Sequence, residues 1–238
     1  MSEGRLSAVG CDLSDTHADH SPLEGRVGGA GRTVLLFELL GLFVVVPLLL
    51  LTEVVPLRFR LWVLVGLIPA ALLIARLDRA DLRDLGLAAG AGAEFRRCLF
   101  RGLAVWTVLV GGVAAVHWLV GLPAFGFLID HPDRFAEIAM VYAVSVTAQE
   151  LLFRGYFFWR YRPLLSRRGL AVANCLVFAW VHIIYGTWIS VALSGVGGVV
   201  FTGLYLRHGS LAAVGIVHAA FGLAVFAMGY GRYFLPPQ

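Results

Sequence analysis

Residues 135–158 read FAEIAMVYAVSVTAQELLFRGYFF. An α-helix rises about 1.5 Å per residue, and about 20 mostly apolar residues cross the hydrocarbon core of a bilayer. This run is long enough to cross, and it lacks the strict alternation of a membrane β-strand. Because lipid offers the backbone no hydrogen-bond partners, the run predicts a membrane-spanning helix that carries Glu150 and Arg154 within it.

Further apolar runs lie on both sides of this one. They occupy approximately 33–55, 61–76, 99–121, 169–186, 187–206 and 210–230. The composition agrees, since 59% of the residues are hydrophobic and only 14% are charged. These values exclude a soluble enzyme, a disordered protein and a disulfide-stapled secreted domain. The sequence therefore predicts an all-α, polytopic transmembrane helical bundle of about seven spans.

The same pattern divides the chain into four parts. We expect residues 1–32 to be a disordered polar cytoplasmic tail and 33–134 to hold three N-terminal spans. Residues 135–230 would hold four further spans, and 231–238 a C-terminal tail. Tyrosine and tryptophan residues near span ends, such as Trp159 and Tyr161, are expected to anchor the helices at the lipid interface.

The basic residues indicate the orientation in the membrane. All nineteen are arginine, and most lie in the tail or in loops on one side of the bundle. This bias predicts a cytoplasmic N-terminus, and we expect a multi-pass protein of a bacterial inner (plasma) membrane. Loop arginines also account for the basic pI, so no nucleic-acid partner is expected. The lipid bilayer is an expected partner, and the oligomeric state is left open.

Charged and polar side chains inside a membrane are costly and mark functional sites. Glu150 and Arg154 lie four residues apart on one helix face. They form either an ion pair that eases insertion or a carboxylate held for proton chemistry. His182 and His218 lie in the fifth and seventh runs. The three depths, about 12, 20 and 12 Å from the cytoplasmic ends, allow convergence in one polar cavity.

Such a cavity has the groups needed to hydrolyse a peptide bond. A carboxylate beside imidazoles can deprotonate water, and an imidazole can protonate the leaving amine. A second imidazole can support the oxyanion of the tetrahedral intermediate.

Three motifs in this order resemble the CPBP family, the CAAX proteases and bacteriocin-processing enzymes. The family pattern is Glu-Glu-x-x-x-Arg, then Phe-x-x-x-His, then His-x-x-x-Asn/Asp, each on a separate transmembrane helix. Here the first motif reads Gln149-Glu150-x-x-x-Arg154, the second Phe178-x-x-x-His182, and the third His218-x-x-x-Gly222. The resemblance covers residues 135–230 and implies that they form the catalytic core of an intramembrane endopeptidase of glutamate type, which acts on a peptide or protein substrate. In that mechanism the acidic motif and a histidine activate water, and the last motif assists at the oxyanion.

The chain departs from this pattern at two positions. Gln149 replaces the first Glu, and Gly222 replaces the Asn or Asp. We therefore expect Glu150 to act as general base, although neighbouring helix positions point about 100° apart. Arg154 would be the charge partner of Glu150. His182 would hold water or the oxyanion, and His218 would act as acid or oxyanion stabiliser.

Three other residues are expected to shape the pocket or to bind there: Gln149, Phe178 and Gly222. Asn174, about two turns before His182, would either contribute to this pocket or form a helix–helix hydrogen bond. No cofactor is expected, although two histidines and a carboxylate could hold zinc as an alternative. Two other functions remain open. The departures suit a catalytically inactive relative that acts as an immunity or scaffold protein. A proton relay through Glu150 and the histidines would suit a small proton-coupled transporter, although no internal repeat supports it.

Overall fold

The computed structural model describes residues 31–87 and 92–234. Within these ranges the regular secondary structure is entirely helical, in eight helices and a final 3₁₀ turn. The helices are α1 (Arg32–Leu51), α2 (Leu57–Leu77), α3 (Ala93–Leu119), α4 (Gly126–Asp130), α5 (Pro132–Tyr161), α6 (Arg167–Tyr185), α7 (Trp188–His208) and α8 (Leu211–Ala227). The 3₁₀ turn is Tyr230–Phe234. The predicted all-α bundle is confirmed.

Six of these helices are long and apolar enough to cross a membrane, namely α1, α2, α3, α5, α6 and α7. Helix α8 is a shorter apolar helix of 17 residues, which lies in the seventh predicted span. The chain is an integral, multi-pass membrane protein. Helices α6 and α7 form a tight hairpin, because Gly186 adopts a left-handed conformation (φ +67°) that ends α6 within one residue of the α7 cap, Thr187.

Both predicted tails lie mostly outside the described residues. Of the segment 1–32, only Gly31 and Arg32 are described, and Arg32 begins α1. Of the segment 231–238, residues 231–234 belong to the 3₁₀ turn that follows α8. In this turn the Phe234 ring lies 5.5 Å from the ring of Tyr185, at the end of α6.

Two helices contain a π-helical turn, and these turns face each other. In α1 the turn is Gly41–Val45, and in α5 it is Leu151–Tyr156, directly after Glu150. The Phe43 ring of the first turn lies 5.2 Å from the Phe153 ring of the second. A π-turn inserts an extra residue into a helix and often occurs at functional sites. Here the α5 turn contains Arg154 of the first motif and leads into the helix end that anchors α5 to α1.

That anchor is a buried polar network around Glu38 of α1. Its carboxylate accepts hydrogen bonds from Arg160 (Nη2 to Oε2, 2.8 Å), from Tyr156 and from Tyr161 (3.1 Å). Arg160 also pairs with Asp78 at the end of α2. The expectation for Tyr161 was wrong, because this network and the adjoining aromatic core bury it. The same holds for Trp159, which is 2% exposed and does not anchor the helix at an interface.

Small residues allow α3 and α8 to approach closely. A Cβ at Gly102 of α3 would overlap one methyl group of Val217 of α8 and lie 2.9 Å from the other. Val217 is fully buried and precedes His218. The fit at Gly102 therefore helps to fix the position of the helix that carries His218.

Substitution of Gly102 tests this packing. We expect Gly102→Val to lower the apparent melting temperature of the detergent-purified protein, since overpacking a core contact costs about 1–3 kcal/mol. Gly111→Val is the matched control on the same helix, because no atom lies within 4 Å of a Cβ built there. Equal melting temperatures for the two variants would contradict the close approach of α3 and α8.

Candidate functional site

A cavity of about 950 Å³ lies among the six long helices and α8 and extends to the 3₁₀ turn. Most of the lining side chains are apolar, and the few polar ones come from short stretches of α2, α5, α6, α7 and α8. Five positions of the three motifs line it: Gln149, Phe178, His182, His218 and Gly222. The structure thus brings the three motifs to one chamber, whose volume is in the range of small-ligand sites.

Glu150 is the centre of a buried polar cluster behind this chamber. Its Oε1 accepts a hydrogen bond from Nδ1 of His218 at 2.7 Å and one from Nη1 of Arg154 at 3.2 Å. The Glu150 and Arg154 side chains are 1% and 0% exposed. Breaking such a pair by removing one partner leaves a buried charge uncompensated, at about 3–5 kcal/mol. The pair therefore ties α5 to α8 through His218.

Aromatic rings surround the rest of this cluster. The guanidinium carbon of Arg154 lies 4.2 Å from the centre of the Phe178 ring and 5.4 Å from that of Phe201. The imidazole of His218 stacks on the Phe201 ring at 4.4 Å. Cation–π contact stabilises a guanidinium that is removed from water. It partly offsets the lack of a hydrogen-bond partner for Nε and Nη2 of Arg154 among the described residues.

The two histidines are fixed in the same way. His218 donates from Nδ1 to a carboxylate, and His182 donates from Nδ1 to the backbone oxygen of Phe178 at 2.7 Å. That carbonyl is near the end of the α-helical part of α6, which continues as the 3₁₀ segment Val181–Tyr185. With Nδ1 protonated in a neutral imidazole, Nε2 is an acceptor. The Phe178 ring lies 5.0 Å from His182 and 5.6 Å from His218.

Gln149 and Glu150 point to different surroundings. Gln149 lines the cavity, donates from Nε2 to Ser145 Oγ at 2.9 Å, and has a buried Oε1 without a partner among the described residues. Glu150 does not line the cavity and is enclosed by His218 and Arg154. The angle of about 100° between neighbouring helix positions explains the difference. This placement does not fit the expected role of Glu150 as base for a water in the cavity.

Tyr142 is a site residue that the sequence analysis missed. It lines the cavity two turns before Gln149, and its ring lies 6.1 Å from that of His218. A Cβ at Gly222 would overlap the Tyr142 hydroxyl group. The spacing of Tyr142, Ser145 and Gln149 (i, i+3, i+7) places them on one helix face, and this periodicity was the available signal.

Asn174 does not reach the cavity. Its Nδ2 donates to the backbone oxygen of Phe153 at 2.6 Å, and its Oδ1 accepts from the Thr202 hydroxyl at 2.8 Å. The side chain is fully buried between α5, α6 and α7. Asn174 therefore joins helices, and its expected place in the pocket is corrected.

The donor set does not fit the zinc alternative. Catalytic zinc has three protein ligands, and the chamber offers the Nε2 atoms of two histidines while the Glu150 carboxylate lies behind His218. In residues 31–87 and 92–234, no three His, Cys, Asp or Glu side chains are grouped to hold a metal ion.

The comparison with protein-family models agrees with the motifs. No match was found among curated proteins or among solved structures. Residues 131–224 match the Rce1-like family model, described as type II CAAX prenyl endopeptidase Rce1-like. This segment runs from the start of α5 into α8 and includes all three motifs and Tyr142. The resemblance to the CPBP family is thereby confirmed over residues 131–224, which are similar to a family of intramembrane proteases.

Proposed function

We propose that this chain is an intramembrane endopeptidase in which His218, held by Glu150, activates the attacking water. The single observation that carries this proposal is the 2.7 Å hydrogen bond from Nδ1 of His218 to Oε1 of Glu150. It fixes the tautomer, leaves Nε2 as a base on a residue that lines the cavity, and stabilises the imidazolium that forms. Glu150 thus has the role of an orienting carboxylate, as in catalytic triads.

The proposed reaction needs only water and the peptide. Nε2 of His218 takes a proton from water as the water oxygen bonds to the carbonyl carbon, and the carbonyl π electrons move to oxygen. The intermediate then collapses, the C–N bond breaks, and the proton on Nε2 passes to the leaving nitrogen. His182 is a second acceptor across the Phe178 ring, suited to hold the water through Nε2 before attack.

The cavity lining and the family together suggest the substrate class. The chamber is lined mainly by apolar side chains, so an apolar or lipid-linked peptide segment would bury surface there. The family description names prenyl CAAX substrates, which fit this lining. We propose a membrane-associated peptide as substrate, in a bacterial inner membrane with the N-terminus of the chain on the cytoplasmic side.

A second candidate function is a peptide-binding relative without hydrolysis, acting as an immunity or scaffold protein. One observation favours it: the side chain of the first motif that lines the cavity is the amide Gln149, which cannot take a proton as a carboxylate does. The two candidates share the chamber and differ in whether the Glu150–His218 pair suffices for catalysis.

Variants of the pair test the first candidate. In proteoliposomes with a farnesylated CAAX peptide and its unprenylated counterpart, mass spectrometry should detect cleavage by the wild-type protein. We expect His218→Ala to remove cleavage and Glu150→Gln to lower kcat by about 10²-fold or more, because general base catalysis contributes about 10²–10⁴.

The matched control for these variants is His131→Ala, since His131 caps α5 outside the cavity. It should cleave as the wild type does. Melting temperatures and peptide binding measured in parallel separate lost chemistry from lost folding. Undiminished cleavage by folded His218→Ala would contradict the proposed role of His218.

Gln149→Glu distinguishes the two candidates. This change places a carboxylate in the chamber beside Ser145 without altering the length of the side chain. If the wild type already cleaves, we expect a change in rate of less than about tenfold, since His218 supplies the base. A wild type that binds peptide without cleaving it, together with cleavage by Gln149→Glu, would establish the binding relative instead.

A further inference from the structure

The Tyr142 side chain crosses from α5 to a notch in α8. Its ring lies 6.1 Å from the His218 ring and 5.5 Å from the Phe226 ring. His218, Gly222 and Phe226 follow one another at four-residue spacing, so they form one face of α8. Gly222, which has no side chain, is the notch between the two rings, and the phenol end of Tyr142 packs directly against it.

The space that a side chain at position 222 would take is therefore occupied by a hydroxyl group from another helix. A Cβ there would overlap the Tyr142 oxygen and the adjoining ring carbons. Gly222 and Tyr142 are thus complementary. Because Gly222 has no side chain, the Tyr142 hydroxyl fits against α8. The Tyr142 hydroxyl has no hydrogen-bond partner among residues 31–87 and 92–234, and the residue is half-buried in the cavity lining.

The two imidazoles of the site have no free hydrogen-bond donor. Both imidazoles use their Nδ1–H groups within the protein, which leaves two acceptors. The amide nitrogen of Gln149 donates one of its two N–H groups to Ser145. A peptide carbonyl beside His218 would need a donor, because negative charge develops on its oxygen as water adds. The Tyr142 hydroxyl reaches Gly222, one helical turn after His218 on α8, and is available to donate there.

We infer that the Tyr142 hydroxyl donates a hydrogen bond to the carbonyl oxygen of a peptide bound in the cavity beside His218. This inference rests on the proposed function for the presence of that peptide. When the oxygen becomes an oxyanion, the same bond strengthens and stabilises the intermediate. Gly222 acts only by leaving room for Tyr142.

Tyr142→Phe removes the hydroxyl group and keeps the ring contacts with His218 and Phe226. In the proteoliposome assay we expect kcat to fall by about 10²–10³-fold with a small change in KM, the loss typical for one oxyanion donor. Tyr233→Phe is the matched control, because the Tyr233 hydroxyl accepts from Arg232 outside the cavity. That control should keep wild-type kinetics, and both variants should melt as the wild type does.

Position 222 provides a rescue test. Gly222→Asn alone should reduce kcat, because the new side chain displaces the Tyr142 hydroxyl. Tyr142→Ala alone should reduce kcat for lack of a donor. The double variant Tyr142→Ala with Gly222→Asn has room for an amide donor in the same place, and we expect it to exceed the kcat of either single variant by at least tenfold.

The outcomes separate this inference from the proposed function. Wild-type kinetics in Tyr142→Phe, while His218→Ala is inactive, would overturn the inference and leave the function intact. If the wild type does not cleave, the proposed hydrolysis fails, and binding of the farnesylated peptide then decides the inference. Weaker binding by Tyr142→Phe than by Tyr233→Phe would support the carbonyl contact, and equal binding would overturn it.

Discussion

A carboxylate and a guanidinium that are both removed from water dominate the architecture of this bundle. Glu150 and Arg154 are held one turn apart on α5, and neither can be left without its partner in so apolar a setting. The Phe178 and Phe201 rings enclose Arg154, and His218 completes the environment of Glu150. Helices α6, α7 and α8 thereby pack around one face of α5, and the cavity lies beside that cluster.

The division of α5 into two faces follows from this constraint. One face contributes Tyr142, Ser145 and Gln149 to the chamber, while Glu150 and Arg154 belong to the protein interior. The two neighbouring residues of the first motif thus lie in different places, with Gln149 at the cavity and Glu150 in the buried cluster. In this chain the side chain of the motif at the cavity is the amide Gln149, and the buried Glu150 carboxylate contacts a cavity-lining residue, His218.

Much of this could be predicted from the sequence, and the rest depended on relations between helices. Apolar runs located the spans, because length and composition determine which segments cross a bilayer. The i, i+4 spacing of Glu150 and Arg154 predicted their contact. Whether Glu150 and Arg154 face the cavity or the protein interior depends on where α8 packs. The residue pattern of a single helix does not contain that information. Asn174 was assigned to the pocket from its position along the span. That position does not reveal that its side chain hydrogen-bonds to Thr202 on another helix. Tyr142 was overlooked because its role follows from a missing side chain at Gly222, on another helix.

The hydrogen bond between His218 and Glu150 is open to direct measurement. Histidine ring ¹⁵N resonances of the protein in lipid bilayers report which ring nitrogen carries the proton, and His218→Gln assigns the signal. The account predicts a neutral His218 with the proton on Nδ1 and a bare Nε2, a pattern that Glu150→Gln should disturb. A His218 protonated on Nε2 alone, or one indifferent to Glu150→Gln, would contradict it.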